Sequence, residues 1–368
     1  MIEWRKSHVF FRIIACLGII IILGIAVVFT FRAIEYSRVK DFWGDETFGL
    51  EGTTRQATYK QLLTIGARGQ GSAAPMDYIF IKALDQAYQK PFVKYIPHNV
   101  YYRLNSIFWD LASGLLIAFL FLRAFYRKTD NSVIFVIQLA LICMAVVVFY
   151  FKATNMHFAT EMRPYALWNS LGFVMLGVFM LRGASMLVLL AGILLAFTSS
   201  GALIQIPALA LSRFFLKLVD RESFADALQE MFFLFTLPFL IAIFYALHAD
   251  KFSYVVSSLD YQKYSNEFFS FWRSKWRVPA LSGFGIVFTI WNRQWRGCTA
   301  VFLTMLLLYC VAPVVNAKIL SSSFFFTSRQ YLYYDLVFPL FYLMLALVLP
   351  GYWNMFRNTK NRRNQPVL

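Results

Sequence analysis

Long apolar runs separated by short polar segments organise this chain. The first, 13–31, has 19 residues without a charge. As a helix it would span about 28 Å at ~1.5 Å per residue, the thickness of a bilayer's hydrocarbon core. It is too long for the apolar part of a signal peptide, and no small-x-small site closes it, so it reads as an uncleaved membrane helix. Further runs lie near 104–122, 131–151, 164–181, 185–198, 204–211 with its flanks, 231–249, 279–291, 297–316 and 331–350. The pattern predicts an all-α polytopic membrane protein of about ten transmembrane helices. Residues 1–368 then form a single integral membrane domain, with no soluble domain at the C-terminus. Ser199, Ser200 and Gly201 mark the turn between the fifth and sixth runs only weakly.

The segment 32–103 stands apart as a long loop after the first helix. Its pattern predicts two helices, 54–66 and 76–89, with Gly66, Gly69 and Gly71 breaking the chain between them. In the second, Ile81, Leu84 and Tyr88 fall at i, i+3 and i+7, as in an amphipathic helix lying on a membrane surface.

Composition narrows the class. Of 368 residues, 59% are hydrophobic, 19% aromatic and 15% charged, and the mean hydropathy is +0.58. A soluble domain averages about 25% charged residues, so this chain cannot cover a water-facing surface. The net charge of +16 would raise nucleic acid binding in a soluble protein; here it fits basic cytoplasmic loops. With ten spans both termini share one side. Short segments on that side carry 16 Lys and Arg in 65 residues, against 9 in 60 on the other, which predicts cytoplasmic termini. The four cysteines lie in apolar runs with no CxxC spacing, so neither a disulfide framework nor a zinc site is indicated.

Three polar clusters fall on the predicted non-cytoplasmic side. They are Trp43-Gly44-Asp45-Glu46-Thr47, Glu161-Met162-Arg163-Pro164-Tyr165 and Ser328-Arg329-Gln330-Tyr331. Paired carboxylates can take a proton from a hydroxyl or hold an acceptor. Arginine's forked donors match phosphate oxygens. Together they point to transfer from a lipid-phosphate donor at the membrane surface. The same residues also suit humbler roles: Asp45 and Glu46 as a helix cap, Glu161 and Arg163 as an ion pair at a helix start, Tyr331 in an interfacial aromatic belt. Asp110 and Asp335 sit inside the second and tenth runs. Acids there face a cavity or a partner, and Asp335 is placed to pair with a basic group. An acidic pair could hold a divalent metal, yet no complete set of oxygen ligands can be named. His157 beside Glu161 reads as an interfacial polar residue rather than a metal ligand.

The chain resembles the GT-C membrane glycosyltransferases, in particular the branch of the protein O-mannosyltransferases and aminoarabinose transferases. Asp45-Glu46 matches that family's acidic pair in the first external loop. Ala74-Pro75-Met76-Asp77-Tyr78 matches its Pro-containing element. Glu161-Met162-Arg163-Pro164-Tyr165-Ala166-Leu167 matches its acidic-x-Arg-x-Tyr-Ala-Leu element, and Arg329-Gln330-Tyr331 with Pro339 matches its Arg-Tyr element before a Pro-bearing last span. Ala74 replaces the first Pro of the usual pair, the family's His and Lys near it are absent, and Gln330 separates Arg329 from Tyr331.

The resemblance implies an inverting transferase that moves a sugar from a polyprenyl-phosphate donor to a lipid, glycan or protein of the cell envelope. Asp45 would be the catalytic base and Glu46 would help hold the acceptor. Arg163 and Arg329 would bind the donor phosphate, with Glu161, Tyr165, Tyr331, Asp110 and Asp335 in the pocket. A bacterial inner membrane with a periplasmic active site is the expected setting. Three other readings remain: a transporter or flippase for an amphipathic lipid, an envelope glycan polymerase or ligase, and a non-catalytic scaffold or accessory subunit. Against the first, the charges cluster on one side and no repeat is visible. Against the second, the large loop comes first in the chain.

Overall fold

A computed structural model describes residues 8–65, 74–88, 95–199, 201–248, 258–314 and 333–363. Helix α1 (His8–Val39) is followed by the folded first loop: α2 (Gly44–Thr47), a π-helical turn over Phe48–Thr54, α3 (Tyr59–Ile65), α4 (Met76–Tyr88) and α5 (His98–Tyr101). Then come α6 (Leu104–Lys128), α7 (Ser132–Phe151), the short α8 (Ala153–Ala159), α9 (Pro164–Arg182), α10 (Met186–Thr198), α11 (Ala202–Val219) and α12 (Phe224–His248). The chain continues through α13 (Ser258–Ser274), α14 (Arg277–Thr289), α15 (Arg296–Val314) and α16 (Val337–Arg363).

Eight helical stretches are long and apolar enough to cross a membrane: Val9–Val39, His98–Lys128, Ser132–Phe151, Pro164–Arg182, Ala202–Val219, Phe224–His248, Arg293–Val311 and Tyr333–Trp353. The chain is therefore a polytopic helical membrane protein. Each of the ten predicted runs falls on a helix over most of its described residues, but α10 and α14 have only 13 residues each, about 20 Å at ~1.5 Å per residue. Helices form within both predicted loop stretches, α3 starting at Tyr59 rather than at 54 and α4 at Met76 as predicted.

Local chemistry sets the helix boundaries. Asn131 caps α7, its side-chain oxygen accepting from the backbone N–H groups of Val133 and Ile134 at 2.9 and 3.2 Å. Pro164 opens α9, where its missing N–H costs nothing. Gly183 ends that helix with a φ of 63°, a conformation that needs glycine. Short connections make α6 with α7, α9 with α10 and α11 with α12 neighbours in space. Helix α9 is central, 83% of its apolar window being buried against α6, α10, α15 and α16. Helix α1 is peripheral at 28%, leaving a broad apolar face for lipid.

The first turn of α15 lies close against the last turn of α9. A Cβ added at Gly297 would meet the backbone oxygens of Phe179 and Met180 at 2.8 and 3.0 Å. Neither is the end of a flexible side chain. Gly297→Ala is therefore expected to destabilise the protein by about 1–3 kcal/mol, the usual cost of overpacking. Unfolding of the detergent-purified protein would measure it; an unchanged midpoint would refute the close approach.

Candidate functional site

Of the sequence-predicted site residues that the structure describes, Glu46, Glu161, Arg163 and Tyr165 come together where the first loop docks. Arg103, just ahead of α6, is fully buried. Its five N–H groups are all used. Nε donates to Glu46 at 3.2 Å and one terminal nitrogen donates to Glu46 at 2.8 Å and to the Asp41 carbonyl at 2.9 Å. The other donates to the Ser37 carbonyl at 3.1 Å and to that of Lys40. Its guanidinium also lies 5.1 Å from the centre of the Phe42 ring. Arg103 thus locks the end of α1 to the start of the loop.

Glu46 completes the lock. Its buried carboxylate also accepts the backbone N–H of Met162 at 2.6 Å and that of Trp43 at 3.2 Å. Both oxygens are taken by the protein itself, so the geometry makes Glu46 a clamp between the loop and the Glu161–Tyr165 element. Asp45, its neighbour, lies on α2; its side chain is outside the described atoms.

Glu161 follows α8 and is buried. Its Oε1 accepts from the Lys40 ammonium at 3.2 Å, and His157 Nε2 lies 2.9 Å from the same oxygen. Its backbone carbonyl accepts from Ser106 Oγ at 2.6 Å. Oε2 is buried with no partner. The Arg163 guanidinium lies 5.4 Å from the Trp43 ring and 5.2 Å from the Tyr165 ring, so two aromatic faces hold it.

Asp77, in the first turn of α4, is a site residue that sequence reading did not single out. It is 1% exposed. Its Oδ1 accepts from Asn105 at 2.7 Å, Asn105 in turn accepting from the Trp109 indole at 3.1 Å, and Oδ2 has no partner. Burial pushes its carboxyl up to about 7, although the Arg163 charge and the Asn105 bond pull the other way. A signal existed: Asp77 precedes Ile81 by four residues and Leu84 by seven, so an acid sits on the apolar stripe of α4.

The sign of the pH effect follows. A carboxyl whose pKa is higher in the fold than in the unfolded chain stabilises the fold while protonated. That contribution is whole below about pH 4 and is lost as pH rises through about 7. Asp77→Asn, a neutral isostere, is expected to flatten the fall in stability across this window, which amounts to a few kcal/mol. Unfolding midpoints of both proteins at pH 5 and pH 8 test this; equal slopes would refute it.

Asp335 meets its predicted basic partner twice. Its Oδ1 accepts from Lys152 at 2.8 Å and from Lys275 at 2.9 Å. Asp110 of α6 accepts a hydrogen bond from Ser170 of α9, deeper in the bundle and buried. Tyr165 packs edge-on against Phe158 at 5.3 Å. Arg329 and Tyr331 lie outside the described residues. Among the described residues, no three His, Cys, Asp or Glu gather as metal ligands would.

This end of the molecule therefore carries acids and cations on several separate elements. Hydrogen bonds hold some of them rigidly, while Asp77, Glu161 and Asp335 each keep one buried carboxylate oxygen without a partner. Such a set can bind an anionic group and move a proton nearby. The chain matches no protein-family model, no curated protein and no solved structure.

Proposed function

We propose that this membrane protein is an inverting glycosyltransferase of GT-C type that takes its sugar from a polyprenyl-phosphate donor. The observation that carries this reading is the hydrogen bond from Met162 N–H to Glu46, 2.6 Å long. Asp45 precedes one end of that bond and Arg163 follows the other. The acid suited to be the base and the arginine suited to the phosphate are thereby brought together across 116 residues of chain.

In this scheme Asp45 takes the proton of the acceptor hydroxyl. The hydroxyl oxygen attacks the sugar's anomeric carbon, and the bond from that carbon to the phosphate oxygen breaks. The electron pair leaves with the polyprenyl phosphate, whose charge Arg163 stabilises, joined by Arg329. Glu46 positions α2 by its hydrogen bonds. Glu161, Tyr165, Tyr331 and Asp110 line or support the pocket. The acceptor is an envelope lipid, glycan or protein. The topology is ten membrane helices, α10 and α14 being short ones, with the site on the periplasmic side of a bacterial inner membrane.

The test is direct. Purified protein is incubated with polyprenyl-phosphate sugars and an envelope extract, and free polyprenyl phosphate is measured. Release that depends on both the protein and the extract supports the reading. No release with any hexose, pentose or aminosugar donor would overturn it.

A further inference from the structure

Asp335 needs one cation to balance its charge, and it has two. Lys152 joins α7 to α8, Lys275 lies between α13 and α14, and Asp335 precedes α16. Both ammonium groups meet the same oxygen, Oδ1. The other oxygen, Oδ2, is buried without a partner on a side chain that is only 1% exposed. An unmet carboxylate oxygen in such a place is costly unless a donor arrives.

The lysines face outward where the acid does not. Their side chains are 24% and 22% exposed. Each ammonium has three N–H groups and gives one to Asp335. Lys152 is further fixed by the Phe338 ring, whose centre is 3.6 Å from its nitrogen. Burial holds the Lys152 ammonium below the usual lysine range; nearby Lys275 and Arg277 add to this and Asp335 opposes it. The cluster is thus over-charged with cations and has spare donors beside one spare acceptor.

We propose that Lys152, Lys275 and Asp335 form a second anion site, distinct from that at Arg163, which takes a phosphate ester bearing a neighbouring hydroxyl. The lysines hold the phosphate oxygens and Asp335 Oδ2 accepts from the hydroxyl. A phosphorylated sugar and a glycerol-bearing phospholipid head group both have this chemistry. The seven-residue α8, about 10 Å long at ~1.5 Å per helical residue, lies in the chain between Lys152 and the Glu161–Arg163 element. Binding here does not require that sugar be transferred, so failure of the transferase reading leaves the test intact.

The test uses the full chain with inorganic phosphate and two probes of the ligand's source. One is glucose 1-phosphate, titrated onto detergent-purified protein. The other is phosphatidylglycerol, titrated into phosphatidylcholine nanodiscs. Saturation by the first alone identifies a sugar phosphate, and saturation by the second identifies a lipid head group. Lys152→Gln and Lys275→Gln each leave Asp335 one lysine, and each is expected to weaken binding about tenfold, as loss of one charge-assisted hydrogen bond does. Arg163→Ala is expected to leave it unchanged. Asp335→Asn releases both lysines and should tighten the binding of inorganic phosphate several-fold, a gain that a purely structural ion cluster would not show. Failure of both probes to saturate the unmodified protein would overturn the proposal. So would unchanged affinity in a folded Lys152→Gln, Lys275→Gln double variant.

Discussion

Arg103→Ala is expected to destabilise the protein by about 3–5 kcal/mol, the range seen when one partner of a buried ion pair is removed. The change would strand the fully buried Glu46 carboxylate without its cation and leave the carbonyls of Ser37, Lys40 and Asp41 without their donor. Arg103→Lys should recover only part of the loss. A lysine has three donors on a single nitrogen and cannot reach two carboxylate contacts and three carbonyls at once. Chemical denaturation of the detergent-purified protein gives the measurement. A cost below about 1 kcal/mol would mean that the clamp seen between α1, α2 and α6 does not hold the loop.

The second large effect is on activity. Asp45→Asn keeps the size and hydrogen-bonding reach of the side chain but removes its ability to take a proton. Transfer is expected to fall about 10²–10⁴-fold, the contribution of a positioned general base, with stability and donor retention unchanged. Glu46→Gln is the contrast. It weakens the link to Arg103, so it should lower stability as well as transfer. If Asp45→Asn transfers sugar at the normal rate at matched protein level, Asp45 is not the base. If Glu46→Gln loses activity while its unfolding is unchanged, Glu46 acts on substrate rather than as a clamp.

Much of the fold was legible because lipid imposes a simple rule: backbone groups must be satisfied within a helix and side chains must be apolar. Among the described residues, each apolar run coincides with a helix for that reason. Even the weak Ser199-Ser200-Gly201 signal marks a true boundary, with α10 ending at Thr198 and α11 starting at Ala202. Helix α1 runs well past its apolar run at both ends, taking in Val9, Phe10 and Phe11 beyond Arg12 and continuing from Arg32 to Val39. The two short helices match the short runs 185–198 and 279–291 closely in length.

The site was legible in part. The clusters around Asp45 and Glu161 were visible as polar groups at helix ends, and the structure joins them. Their partners were not visible. Arg103 is 57 residues from Glu46, Lys275 is 60 from Asp335 and Lys40 is 121 from Glu161. A basic residue at a membrane helix end looks the same whether it faces water or a buried acid. Only packing distinguishes the two, and packing at such separations leaves no periodic trace. Asp77 is the exception, since an acid on the apolar stripe of α4 departs from a pattern that was itself readable.

On the proposed function, this end of the bundle holds a polyprenyl-phosphate donor with its phosphate at Arg163. Native mass spectrometry of gently purified protein tests it most directly, with Arg163→Ala prepared in parallel. The predicted result is a polyprenyl phosphate or its sugar conjugate bound to the unmodified protein and lost from the variant. If neither protein retains such a lipid, and added polyprenyl phosphate fails to bind on titration, the claim is contradicted.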